Sequence, residues 1–259
     1  MKVVLLAGGL GSRLSEETIA RPKPLIEIGQ YPILWHIMKI YSHYGLNDFI
    51  ICCGYKGYLI KEFFANYILH TRDVEIDVKN NKIKIISGSK KIDNWKITLV
   101  DTGPETQTGG RLKRVKKYIN NTFCLTYGDG LANINIKDLL KFHKKKKTIA
   151  TMTVVNPPGR FGTALIENDI VKSFDEKPVS EKGWINGGFF VFEPDIFSFI
   201  RNDAESLEGF PLKTLSKKNQ LSSFKHKKFW QPMDTLREKN LLNDIAKKRK
   251  VPWIINAKK

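Results

Sequence analysis

A chain of 259 residues, 41% hydrophobic and 27% charged, has enough apolar material for one sizeable α/β core, and no run approaches the ~18 to 20 apolar residues of a membrane helix. Cys52, Cys53 and Cys124 are odd in number and lack C-x-x-C spacing, which supports neither a disulfide framework nor a zinc site and predicts buried free thiols. The net charge of +18 invites a nucleic-acid reading, but the 35 lysines outnumber nine arginines and are scattered over nearly every segment, and the dense runs 144–147, 247–250 and 258–259 follow helical stretches whose dipole favours cations, so solvated faces and no nucleic-acid partner are expected.

The N-terminus lacks the charged start, long apolar stretch and cleavage site of a signal peptide, so a cytoplasmic protein with no membrane partner is expected. It opens instead on Val3-Val4-Leu5-Leu6, a short apolar run suited to a strand buried on both faces. That run breaks into Ala7-Gly8-Gly9-Leu10-Gly11-Ser12-Arg13-Leu14. Glycines without Cβ atoms let successive N–H groups turn onto an anion, and Arg13 adds a permanently charged fork. Lys23 lies between Pro22 and Pro24, which stiffen the segment that presents its ammonium. The whole reads as a triphosphate site, although the glycines alone also fit a plain strand-to-helix connection. Two other phosphate motifs fail: there is no G-x-x-x-x-G-K-[ST], and Leu14 stands where a dinucleotide fingerprint needs its third glycine.

Residues 32–44 read as a helix with Pro32 in its first turn and Gly45 as its stop, His36 and His43 being packing or surface groups. A second buried strand at 48–54 and a helix at 58–69 complete a rhythm that predicts right-handed βαβ units and a mostly parallel sheet. Alternation over 74–86 around Asn80-Asn81 predicts a half-exposed hairpin, inserted at a sheet edge as a subunit contact. After a strand at 96–101, a helical stripe of Leu112, Val115 and Ile119 opens on Thr108-Gly109-Gly110-Arg111. Thr108 there is either an N-cap or a ligand at a helix start.

The strand 123–127 ends in Gly128-Asp129-Gly130. A carboxylate at the C-terminal end of such a strand points into the ligand crevice, and beside a triphosphate loop it becomes a Mg²⁺ ligand rather than an ordinary turn residue. A helix at 136–146 and strands at 148–155, 163–167 and 170–174 lead to Glu176-Lys177-Pro178. Alone this is a common surface turn, but Glu176 could accept from sugar hydroxyls and Lys177 could bind a sugar phosphate. Asn186, Gly187 and Gly188 offer an amide and bare backbone where a hexose could lie close. Short helices at 197–200 and 212–215 and an edge strand at 224–229 precede Trp230-Gln-Pro-Met-Asp-Thr235. Asp234 is there either the N-cap of a last helix, with Leu236, Leu241, Leu242 and Ile245 inward, or a second metal ligand on a stiffened loop. Trp253 is expected to pack the tail.

The pattern G-G-x-G-[ST]-R-L followed by K-P-L resembles the sugar-phosphate nucleotidyltransferases, with Ser12 in place of the commoner threonine. Longer stretches carry the likeness over nearly the full length, among them Ile33-Leu-Trp-His-Ile-Met38, Thr108-Gly-Gly-Arg-Leu-Lys-Arg114, Pro157-Pro-Gly-Arg-Phe-Gly162 and Ile185-Asn-Gly-Gly-Phe-Phe190. The resemblance implies one α/β domain with a Rossmann-like nucleotidyltransferase fold, a mixed, mostly parallel central sheet and helices on both faces. Residues 1–130 would mainly bind nucleotide and 131–259 mainly sugar phosphate. It further implies CTP and α-D-glucose 1-phosphate as substrates, CDP-glucose and pyrophosphate as products, Mg²⁺ on Asp129 and Asp234, a homo-oligomer and a place in surface-polysaccharide synthesis. Nucleotide binding then falls on Leu6, Ala7, Gly8, Gly9, Leu10, Gly11, Ser12, Arg13, Lys23, Thr108, Gly109, Arg111 and Gly128, catalysis on Arg13, Lys23 and Asp129, and sugar-phosphate binding on Glu176, Lys177, Asn186, Gly187 and Gly188. Another nucleotide or sugar phosphate, a basic nucleic-acid-binding protein and a silent nucleotide sensor are the competing readings. Thr163 ahead of Ala164-Leu165 and the lysine excess depart from the family pattern, away from any proposed ligand.

Overall fold

The structure, a computed structural model, describes residues 1–87, 93–156, 163–167, 170–175 and 183–254. In chain order it begins with β1 (Lys2–Ala7), a short helix α1 (Ser15–Thr18), the two-residue strands β2 (Glu27–Ile28) and β3 (Tyr31–Pro32), and helix α2 (Ile33–His43). Next come β4 (Asp48–Cys53), α3 (Gly57–Ala65), α4 (Tyr67–Thr71), the hairpin β5 (Asp73–Asp77) and β6 (Lys82–Ser87), β7 (Lys96–Asp101), α5 (Thr108–Arg114) and β8 (Phe123–Tyr127). They are followed by β9 (Gly130–Ala132), α6 (Ile136–Lys146), β10 (Ala150–Val155), the hairpin β11 (Thr163–Glu167) and β12 (Ile170–Asp175), and β13 (Ile185–Phe192). The last described elements are α7 (Phe210–Lys217), β14 (Leu221–His226), β15 (Trp230–Pro232) and α8 (Leu236–Ala246).

Seven strands form the central sheet in the order β14-β10-β13-β8-β1-β4-β7. β1 runs parallel to β4 and β8, β4 to β7, and β10 to β14, whereas β13 is antiparallel to both its neighbours. The mixed, mostly parallel α/β sheet expected from the sequence is therefore present. Its hydrophobicity follows the pleat of the strands. Val3, Leu5 and Ala7 of β1 pack on the side of α2, α6 and α8, while Val4 and Leu6 pack on the side of α5 and α7. Each buried Val or Leu side chain here contributes roughly 1.5–3 kcal/mol, so the middle of the sheet is a stiff base. The C-terminal ends of β1, β4, β7 and β8 lie in register along one edge, Ala7 beside Cys53, Cys53 beside Asp101 and Leu6 beside Tyr127. The loops leaving those ends stand side by side, where open α/β sheets bind ligands.

Several local expectations change. The helix read over 58–69 breaks at Asn66 into α3 and α4, and Pro32 precedes α2 as its N-cap instead of entering its first turn. Helix α8 buries Leu242 and half-buries Ile245, but Leu236 and Leu241 are exposed, because the helix meets the core along a single stripe. The hairpin β5–β6 stands outside the central sheet, pairing Ile76 with Ile83 and Glu75 with Lys84 across its strands. His36 is buried with its Nε2 on the Ile28 carbonyl at 2.8 Å, and Trp253 is buried against it. All three cysteines are free and buried, and burial pushes their thiols up, Cys53 to about 11 and Cys124 to about 12. Among the described residues no helix is long and apolar enough to cross a membrane.

Candidate active site

A cleft of about 430 Å³ opens at that sheet edge, lined by residues 6–13, Lys23, Pro24, residues 104–108, Arg111, residues 127–129, Glu208 and Asp234. Its first wall is the glycine loop between β1 and the 3-10 turn Ser12–Leu14. The three glycines are required for three different reasons. Gly11 has φ 67°, and a Cβ there would also press on Thr18 Cγ2 at 2.7 Å. A Cβ on Gly8 would sit inside the guanidinium of Arg111, so that glycine serves the protein's own packing. Gly9 would meet nothing within 4 Å, and its missing side chain leaves the cleft open.

Arg111 lines the cleft, but its guanidinium is turned into the wall and the residue as a whole is only 4% exposed. It donates to the Gly8 carbonyl at 2.9 Å, the Pro104 carbonyl at 3.0 Å, the Gly103 carbonyl at 2.6 Å and Thr102 Oγ1 at 2.8 Å. Burial lowers its proton affinity, yet a guanidinium stays charged and both terminal nitrogens here meet acceptors in a geometry suited to a planar fork. The residue therefore clamps the glycine loop to the 102–104 segment. The hydrogen-bonding capacity expected to face a nucleotide is engaged by backbone.

Lys23 occupies the floor. Pro22 is extended, and the 3-10 turn Lys23–Leu25 with Pro24 near its start aims the side chain between two carboxylates. Its Nζ lies 2.8 Å from Asp129 Oδ2 and 2.7 Å from Asp234 Oδ1, with 11% of the side chain exposed. Burial would pull its pKa down, but the two carboxylates prevail and raise it above the ordinary lysine value. Arg13 pairs with the other oxygen of Asp234 at 3.0 Å and is 75% exposed, so this fork, unlike that of Arg111, reaches solvent.

Asp129 and Asp234 come from distant parts of the chain and are joined by a short ladder. β9 pairs with β15, Gly130 opposite Pro232, and the Met233 N–H donates to the Asp129 carbonyl at 2.8 Å. Gly128 keeps this strand end against β1, donating its N–H to the Leu6 carbonyl at 3.0 Å where a Cβ would collide with that same oxygen at 2.9 Å. The N-cap reading of Asp234 is overturned by a capping box one residue on. Thr235 caps α8, accepting from the Glu238 N–H at 3.3 Å, while the Glu238 carboxylate accepts from the N–H groups of Thr235 at 3.0 Å and Asp234 at 2.7 Å. The Asp234 carboxylate is thereby left to face the cleft.

Two carboxylates converging on a single ammonium mark one position favourable to a cation, and their donors are hard oxygens. That fits Mg²⁺, which commonly takes one or two carboxylates and completes its shell with phosphate oxygens and water. Among the described residues no group of three or more His, Cys, Asp or Glu forms a self-sufficient metal cage.

The second wall is built from α5 and the turn before α7, while Asn186, Gly187 and Gly188 at the start of β13 do not line the cleft. Gln107 is the N-cap of α5, with no side-chain cap bond, so Thr108 is the first helical residue and not the cap. Its hydroxyl accepts from the Leu207 N–H at 2.8 Å and donates to Glu208 Oε2 at 2.7 Å. Gly109 does not line the cleft. Its Cβ would lie 2.7 Å from the Glu205 carbonyl oxygen, and one on Gly110 would lie 2.5 Å from Asp203 Cα, so both glycines admit the 203–207 backbone. Asn186 donates from Nδ2 to the Tyr127 hydroxyl at 3.0 Å and accepts the Gly188 N–H at 2.9 Å. Gly188 has φ 77°, and Gly187 packs on Val155. Glu176 and Lys177, like the motif at 157–162, lie outside the described residues. Glu208 escaped the sequence reading: one acid in Ser206-Leu207-Glu208-Gly209 looks like any surface turn.

A family model described as nucleotidyl transferase matches residues 2–235. The chain is 53% identical over 255 residues to the glucose-1-phosphate cytidylyltransferase of Salmonella typhi, covering 98% of each chain. It is 45% identical over 244 residues to a Bacillus subtilis (strain 168) protein that bears the name "Probable glucose-1-phosphate cytidylyltransferase", covering 93% of this chain and 94% of that one. Among solved structures, HddC from Yersinia pseudotuberculosis superposes with a TM-score of 0.68 at 24% identity, covering 95% of this chain and 99% of that one, a likeness of fold.

Proposed function

Because the chain belongs to the nucleotidyl transferase family, we propose that it transfers the cytidylyl group of CTP to α-D-glucose 1-phosphate, giving CDP-glucose and pyrophosphate. The 53% identity to a protein that bears the name of this activity supports both substrates. One observation carries the chemistry: Lys23, Arg13, Asp129 and Asp234 form a single charge network beside a loop whose backbone is bare at Gly9.

The sugar phosphate is already anionic at neutral pH, so its oxygen attacks the α-phosphorus without a base. A new P–O bond forms there as the bond to the bridging oxygen breaks, and pyrophosphate departs with that electron pair. The obstacle is the repulsion of two polyanions, which makes catalysis a matter of alignment and charge neutralisation. Lys23 stabilises the charged centre at the α-phosphorus and Arg13 the departing pyrophosphate. Asp129 and Asp234 would hold Mg²⁺, which when bound neutralises the nucleotide phosphates. Residues 6–13, Thr108 and Gly128 bind or shape the nucleotide side, mainly from the first 130 residues. Glu176, Lys177, Asn186, Gly187 and Gly188 serve the sugar phosphate from the remainder.

A cytoplasmic setting matches the substrates. A homo-oligomer suits the β5–β6 hairpin, whose Ile76, Ile83 and Ile85 are exposed, and light scattering on the purified protein reads the state directly. The reaction itself is tested by pyrophosphate release with Mg²⁺ and glucose 1-phosphate, offering CTP, UTP, dTTP and GTP separately, with an EDTA control. Turnover with CTP that stops in EDTA is expected. Turnover with another nucleotide would keep the chemistry and overturn the base assignment, and silence with all four would overturn the reaction.

A further inference from the structure

We infer that Glu208 is a substrate-binding residue of this cleft, its carboxylate accepting a hydrogen bond from a sugar hydroxyl, either of the nucleotide's ribose or of the hexose; the inference rests on the transfer reaction proposed above. Glu208 lines the cleft and is exposed. Its carboxylate accepts from the Tyr127 hydroxyl on Oε1, and on Oε2 from Thr108 at 2.7 Å and Ser206 at 2.5 Å. Those donors come from the end of β8, the start of α5 and the turn before α7. Desolvation against the wall would push this carboxyl up, but the hydroxyls of Ser206, Tyr127 and Thr108 outweigh it and hold the group below the usual glutamate range, so it is anionic at neutral pH.

An ionised carboxylate offers about four lone-pair positions and no donor. Three are taken, two on Oε2 and one on Oε1, which leaves Oε1 with room for one more donor. Its three partners are neutral hydroxyls, so its charge is not cancelled by them. The cations facing the cleft, Lys23 and Arg13, are drawn instead to Asp129 and Asp234, and the Arg111 guanidinium is turned into the wall. The cleft therefore has a polarity. A phosphate oxygen at Glu208 would meet a like charge and find nothing to donate to it, whereas a hydroxyl there gains a charge-assisted bond. Three anchors from separate segments also hold the carboxylate in one place before a substrate arrives, so little side-chain freedom is lost on binding. An acceptor fixed away from the phosphate machinery suits the hydroxyl-bearing part of a substrate whose phosphates are held at Lys23.

The partner hydroxyl is found by removing it and the carboxylate in turn. With the wild type, KM is measured for CTP against its 2′-deoxy and 3′-deoxy analogues, which test the ribose, and for glucose 1-phosphate against its 2-, 3-, 4- and 6-deoxy derivatives, which test the hexose. One analogue should show a KM about tenfold above its parent, the size of a lost hydrogen bond to a charged group. In Glu208→Ala that parent and that analogue should differ by less than about twofold, because both changes remove the same bond, while the other analogues keep their wild-type ratios. Ser206→Ala, which takes away one anchor and does not touch the cleft, should weaken the same ratio and no other. If Glu208→Ala melts early, Glu208→Gln carries the comparison with a smaller loss, since it keeps the shape and replaces a charged acceptor by a neutral amide. Wild-type ratios preserved for every analogue in a folded variant would overturn the inference. So would a loss of selection for CTP over UTP with all hydroxyl ratios intact, which would give the carboxylate to the amino group of the base. A wild type that turns over a different nucleotide or sugar phosphate would sink the substrate assignment alone, since the same comparison is then made with that pair. Calorimetric binding of CTP and its two deoxy analogues reads the ribose arm without turnover.

Discussion

Two glycine-bearing segments flank the cleft, residues 8–11 and residues 109–110, and in sequence they look alike: bare backbone beside an arginine at the mouth of a helix. The structure separates them. At 109–110 both glycines face the protein's own 203–207 backbone, and Arg111 beside them is buried on five oxygens of neighbouring segments. Among the glycines of the 8–11 loop Gly9 alone faces open space, and Arg13 beyond it is exposed and shares Asp234 with Lys23. One segment is a joint and the other leaves the cleft open. A missing Cβ therefore says that something comes close, and only the fold says whether it is a substrate or a carbonyl group.

The contrast can be broken most forcefully at Lys23. Lys23→Ala is expected to lower kcat by on the order of 10²-fold or more if the ammonium acts on developing charge. Steady-state kinetics that return a normal kcat with only a raised KM would remove it from the reacting centre. Arg111→Met comes next and should act on the fold. Thr102 Oγ1 and the Gly103 and Pro104 carbonyls lose this donor together, while the Gly8 carbonyl keeps the Tyr55 N–H, which predicts a loss of about 3 kcal/mol in urea unfolding. A stable variant defective only in CTP binding would make Arg111 a ligand after all. Gly110→Ala should cost about 1–3 kcal/mol, because the Asp203 backbone cannot yield as a side chain would. Gly9→Ala is the smallest and the sharpest test: stability within about 0.5 kcal/mol of wild type, with a raised KM for CTP. Equal melting losses in Gly9→Ala and Gly110→Ala would erase the distinction between the two segments.

The paired readings of single residues show where legibility stopped. Asp234 could be cap or ligand on local grounds, and the answer came from Thr235 and Glu238 closing a capping box one position later. Thr108 could be cap or ligand as well, and it is neither the cap nor open: its hydroxyl lies between Leu207 and Glu208. Glu208 left no local trace, because what distinguishes it is three hydroxyls from residues 127, 206 and 108. The exposed Leu236 and Leu241 mark a further limit, since apolar spacing reports which stripe could be buried and not how much of it meets a partner.

By itself the sequence determined the alternation of strands and helices, the buried β1, the mostly parallel sheet, and the glycine loop with Arg13 and Lys23 close behind it. Those follow from periodicity, backbone restriction and charge, which act within a few residues. Only the tertiary structure decided that Lys23 bridges Asp129 and Asp234, that Arg111 faces inward, and that Glu208 meets Tyr127. The Lys23 and Glu208 contacts span 81 to 211 positions and the Arg111 clamp reaches 103 positions back to Gly8, all brought together by strand pairing that no local signal encodes.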